Sequence, residues 1–106
     1  MGAAVTRTST FTSSPAAVFD AVHKALASIS VVQEVDAEGQ YAAGAIGWSM
    51  RSWGERIQIW VEPAPPGTIL TVESRCKVRT QVIDWGRNRS NVDRLLETVK
   101  ELLPAE

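Results

Sequence analysis

The chain has one cysteine and one histidine in 106 residues. With Cys76 alone there is no intramolecular disulfide and no CxxC metal or redox pair. His23 lies far from Cys76 in sequence, so neither residue has the partner that nucleophilic catalysis needs. Catalysis would have to use Asp, Glu, Arg or Tyr41, and the acidic residues fall mostly at expected turns and on polar faces. Eleven basic residues oppose twelve acidic ones. That balance excludes the broad positive field of a dedicated nucleic-acid binder. No run approaches the roughly 20 apolar residues that cross a bilayer. No basic-then-apolar leader opens the chain, so a cytoplasmic protein is expected. Met1 to Thr6 fits a myristoylation template. No basic patch follows it, and Val5, Arg7, Ser9 and Phe11 alternate as a strand.

What is present is ordinary globular chemistry: 44% hydrophobic and 22% charged residues. A chain of this length forms one domain, 1–106, and buries roughly 60–70% of its unfolded surface without a metal or crosslink. Residues 3–11 read as a first strand. Ser14 before Pro15 marks a helix start, running to about Ser28. Val18, Val22, Ala25, Leu26 and Ile29 form its apolar stripe, with His23 and Lys24 off it. Val31 to Asp36 reads as a second strand. Gly39 is expected to supply a positive-φ turn position.

A third strand, Gln40 to about Met50, is rich in small residues: Ala42, Ala43, Gly44, Ala45, Gly47. Small side chains in a strand mean that something approaches closely. Either a helix lies tightly over them, or Gly44 and Gly47 leave room for a ligand. The sequence Gly44-Ala45-Ile46-Gly47 is no dinucleotide fingerprint, since no helix follows. After a break at Ser52-Trp53-Gly54, residues 55–62 alternate, with Ile57, Ile59 and Val61 on one side and Arg56, Gln58, Trp60 and Glu62 on the other. The stretch 63–67 reads as a turn, because proline cannot continue a ladder. Thr68 to Arg79 is a fifth strand with Leu70, Val72, Ser74, Cys76 and Val78 inward.

If Val61 faces Leu70 and Ile59 faces Val72, Arg56 falls opposite Arg75. Opposed like charges are unfavourable unless solvent, a carboxylate such as Glu73 or Glu55, or a bound anion separates them. Trp60 shares that outer face, a position typical of interfaces. Trp53 and Trp85 each precede glycine at a chain break. They either plug the ends of the fold or line a pocket mouth with Arg51 and Arg87. The final helix starts at Gly86 or at Ser90-Asn91. It carries Val92, Leu95, Leu96, Val99, Leu102 and Leu103 on one stripe and ends before Pro104.

The order β-α-β-β-β-β-α gives an α+β two-layer sandwich, an antiparallel sheet with the C-terminal helix across it. Four consecutive antiparallel strands between helices resemble a shortened helix-grip fold, that of the START and Bet v 1-like lipid- and steroid-binding proteins. The run Phe11-Thr12-Ser13-Ser14-Pro15-Ala16-Ala17-Val18-Phe19 is similar to the opening of polyketide cyclase and START-like chains. Arg51-Ser52-Trp53-Gly54-Glu55, Glu73-Ser74-Arg75 and Asp84-Trp85-Gly86-Arg87-Asn88-Arg89-Ser90-Asn91-Val92 resemble a family of small bacterial proteins that brings no established activity. The topology, the glycine/alanine strand and the Trp-Gly turns point to a non-enzymatic domain holding a small amphipathic or anionic, lipid-like ligand between the sheet and the C-terminal helix, over Ala42 to Gly47. Arg51, Trp53, Trp85 and Arg87 would form its mouth. Such a site needs a cavity of about 300 Å³ or more. The alternative is a homodimeric interaction module using Trp60, Arg56 and Arg75 on the outer face. No cofactor, metal, membrane span or nucleic-acid partner is expected.

Overall fold

Alternating Thr and Val, a Ser-Pro start signal and two apolar helical stripes give seven elements in a computed structural model that describes residues 4–47, 54–76 and 87–103. In chain order these are β1 (Ala4–Phe11), α1 (Pro15–Ile29), β2 (Val31–Asp36), β3 (Tyr41–Ile46), β4 (Glu55–Ala64), β5 (Gly67–Cys76) and α2 (Arg87–Leu102). The strands form one five-stranded antiparallel sheet in the order β1-β5-β4-β3-β2. Both helices cover the same face. This is the expected α+β sandwich.

Helix α1 begins as its sequence indicates. Ser14 is its N-cap and accepts a hydrogen bond from the Ala17 N–H at 3.2 Å, with Pro15 following. Val18, Val22, Ala25 and Leu26 have no exposed surface. Val92, Leu95 and Val99 of α2 are buried as completely. They close on Ile57, Ile59, Leu70 and Val72 from the middle of the sheet. Each such Val, Leu or Ile side chain contributes about 1.5–3 kcal/mol when removed from water. Leu102, expected on the α2 stripe, is instead 48% exposed, and Leu103 takes the buried place. At 100° per residue Leu102 lies about 80° from Val92, whereas Leu103 returns to within about 20°.

The sheet departs from the sequence reading at its turns. Among the described residues, positive φ falls at Gln40 (52°) and Gly54 (99°), not at Gly39. Gly39 instead gives its N–H to the Asp36 carboxylate at 3.0 Å. Its missing side chain leaves that carboxylate room. Gly54 turns the chain into β4 through a conformation that favours glycine. Strand β3 ends at Ile46, short of the expected Met50, with residues 48–53 outside the description. Pro63 and Ala64, expected in a turn, continue β4 opposite Thr68 and Gly67. The reason is directional. The Val61 N–H points across to Gln40 O at 2.9 Å, so the nitrogen two residues on faces the same way, beyond the end of β3. Proline at that place forgoes no ladder bond. The β5 strand is described as far as Cys76.

Candidate functional site

Three inward-facing rows run from apolar to polar at one end of the sandwich. On β4 the row is Val61, Ile59, Ile57, Glu55. On β5 it is Leu70, Val72, Ser74, Cys76. On α2, stepping back four residues from Leu95 and Val92 gives Asn91 and Asn88. Glu55 sits opposite Cys76, and Ile57 opposite Ser74. The start of α2 therefore lies over a polar corner of the sheet.

The side chains join directly. The Ser74 hydroxyl donates to Asn88 Oδ1 at 2.7 Å. The Asn91 amide donates to Ser74 Oγ and to Glu55 Oε1, each at 3.2 Å. Asn88 Nδ2 approaches Cys76 Sγ at 3.4 Å. Glu55, Ser74 and Asn88 have no exposed surface, and Asn91 has 6%. No buried side-chain nitrogen or oxygen among the described residues lacks a partner. Sequence reasoning had set the acidic residues on turns and polar faces, so the burial of Glu55 is a correction. The signal was present: the alternation that buries Ile57 and Ile59 also points Glu55 inward.

These bonds form a closed network within the chain. The Ser74 hydroxyl proton is committed to Asn88. His23 is exposed on α1. Among the described residues no three His, Cys, Asp or Glu side chains group as metal ligands. No described helix is long and apolar enough to cross a membrane.

Arg51, Trp53 and Trp85 lie outside the described residues, and Arg87 is described only as the first residue of α2. In sequence they adjoin the polar set, with Arg51 and Trp53 preceding Glu55 and Trp85 and Arg87 preceding Asn88. Gly44 sits in β3 between Val32 and Ile57. A Cβ there would collide with Ser30 Oγ and meet Val31 O at 3.1 Å. The C-cap of α1 thus lies directly against Gly44, the close approach that a small residue there implies. Gly47 lies beyond the strand with open space around it. The middle of the sandwich is closed. A water-sized cavity between sheet and α2 would leave accessible surface on Ile57, Ile59, Leu70, Val72, Val92, Leu95 or Val99, and all have none. A cleft of about 300 Å³ does occur at the far end, between residues 10–12 and the β4–β5 hairpin, and it is open to solvent.

On the outer face the expected register holds: Arg56 is opposite Arg75, and Trp60 is opposite Thr71. Each arginine has its own partner. Arg56 reaches Glu34 at 3.5 Å and Gln33 at 3.3 Å, while Arg75 reaches Glu73 at 3.3 Å. Trp60 leans on Tyr41, with ring centroids 5.7 Å apart, and the Tyr41 hydroxyl accepts from Gln58 at 2.8 Å. The opposed arginines are reconciled by carboxylates within the chain.

The architecture has solved counterparts. The crystal structure of Ara h 8.0201 superposes with a TM-score of 0.70, covering 95% of this chain and 97% of that one at 10% identity. The fold is therefore Bet v 1-like. No protein-family model and no curated protein sequence matches the chain.

Proposed function

We propose that this domain binds one small amphipathic molecule, without catalysis, at the end of the sandwich where α2 begins. The observation that supports it most is the buried hydrogen-bonding set of Glu55, Ser74, Asn88 and Asn91 at the edge of an otherwise apolar interior. A ligand whose polar groups take over the Asn and Ser hydrogen bonds at the border of the apolar interior would match that gradient, as small-molecule sites do. The sequence resemblance to lipid- and steroid-binding proteins points the same way. Arg51, Trp53, Trp85 and Arg87, which adjoin this set in sequence, are the proposed mouth.

The test is a native mass spectrum of freshly purified protein, followed by titration with palmitate and with anilinonaphthalene sulfonate. One retained molecule per chain, or a saturable tryptophan response, is expected. An Asn91→Leu variant should weaken binding at least about tenfold, the factor that corresponds to one hydrogen bond of about 1.4 kcal/mol. Bare chains with no saturable response to either probe would overturn the proposal.

A further inference from the structure

We infer that the free edge of β1 is a self-association surface. Two copies join their β1 strands antiparallel across a two-fold axis at Thr8, so that two five-stranded sheets become one.

Among the described residues the sheet ends at β1 on one side and at β2 on the other, and the two edges are built differently. Strand β2 is six residues long, carries Glu34 and Asp36, and has a register break between Val32 and Glu34. Short length, charge and a bulge are the devices by which proteins blunt an edge. Strand β1 is longer and has no bulge, and its one charge, Arg7, is paired with Asp93 of α2 at 3.9 Å. It runs eight residues in unbroken register with β5, without proline or an acidic residue. Thr6, Arg7, Thr8 and Thr10 are exposed. A ladder edge of this length, unbulged and with no described strand beside it, is a template for another strand.

The side chains select a second copy as the occupant. Directly opposed residues in an antiparallel pair point to the same face, so pairing that keeps both helical layers on one side must match inward with inward residues. A two-fold at Arg7 would set two arginines opposite each other, which is unfavourable. A two-fold at Thr8 sets Thr6 against Thr10 of the second copy and Thr8 against its own equivalent on the outer face. On the helix side Arg7 then meets Ser9, and Val5 meets Phe11. No like charges are opposed, and Thr–Thr pairs are favourable across strands. Arg7 already leans on Asp93 of α2, at 3.9 Å. Centres farther along β1 shorten the ladder. This surface is separate from the Trp60 face.

Sedimentation equilibrium from about 10 µM to about 1 mM reads the association, in the weak range expected of so small a contact. The wild type should dimerise. Thr8→Lys and Thr8→Glu each place like charges across the axis and should each weaken the dimer at least about tenfold. Thr8 is exposed and points away from the core, so both variants should keep the wild-type circular dichroism. An equimolar mixture of the two should recover association, and Trp60→Glu should leave the wild-type value unchanged. A wild type that stays monomeric overturns the inference. So does a dimer indifferent to Thr8→Lys, a mixture that does not recover, or a dimer abolished by Trp60→Glu. A monomer that instead captures an extended Thr-rich peptide on β1 would assign the edge to another partner and equally overturn it.

Discussion

Substituting Gly44 by alanine separates the two explanations of the small-residue strand. A Cβ at this position meets Ser30 Oγ first, then Ser30 Cβ and Val31 O, each of the last two at 3.1 Å. Ser30 cannot step aside freely, because its hydroxyl donates to Leu26 O at 2.7 Å and its backbone N–H to the same oxygen at 2.9 Å. Displacing the hydroxyl loses about 1 kcal/mol. Residual overpacking against the Val31 carbonyl adds about 1–3 kcal/mol. Reduced freedom of the unfolded chain offsets about 0.5–1 kcal/mol. Gly44→Ala should therefore destabilise by about 1–3 kcal/mol in urea unfolding followed by tryptophan fluorescence. In a Ser30→Gly background two of the three contacts vanish, and the same substitution should cost less than about 1 kcal/mol. If Gly44→Ala costs nothing, or costs the same in both backgrounds, the helix-cap explanation is refuted. A stable variant that loses palmitate binding would favour the ligand explanation.

Three further outcomes follow from the same geometry. Asn91→Ala leaves both Glu55 Oε1 and Ser74 Oγ without this donor in a buried place, and should cost about 2–4 kcal/mol by urea unfolding. Cys76 is 3% exposed, so a thiol reagent should leave it unmodified in the native protein and react fully in denaturant. Arg56→Ala removes a 3.5 Å pair with Glu34 on a partly exposed face, and should change stability by less than about 1 kcal/mol, with less effect still at high salt.

Periodicity made most of this fold legible. The α1 stripe, the inward rows of β4 and β5 and the Arg56–Arg75 register all follow from alternation and from the position of one hairpin. The hairpin itself was misread at Pro63, because a proline is excluded from a ladder only where its nitrogen faces a neighbour, and sequence does not show where β3 stops. The polar corner was missed for a related reason. Glu55 and Asn88 each continue an apolar row by one step, but a charged or amide side chain read alone suggests solvent. Only the convergence of three elements, distant in sequence, shows that they satisfy one another. Gly44 was legible as a close approach, yet the approaching group, a serine at the end of α1, is set by how far that helix runs.

The packing also fixes where a ligand could act. Withdrawing Val92, Leu95 or Val99 from the sheet would expose side chains worth about 1.5–3 kcal/mol each, with nothing in a small molecule to replace all of them. Parting Asn88 and Asn91 from Ser74 and Glu55 exchanges hydrogen bonds whose net worth is about 0.5–1.5 kcal/mol each, and a ligand with polar groups can remake them. Any rearrangement on binding should therefore be confined to the first turns of α2, while the helix from Leu95 onward stays seated. Amide hydrogen exchange with and without palmitate reads this directly. Protection should change across Asn88 to Asn91 and stay constant from Leu95 to Val99. Equal changes along the whole of α2 would mean that the helix moves as a unit, and the division between a sealed middle and a polar, openable end would be wrong.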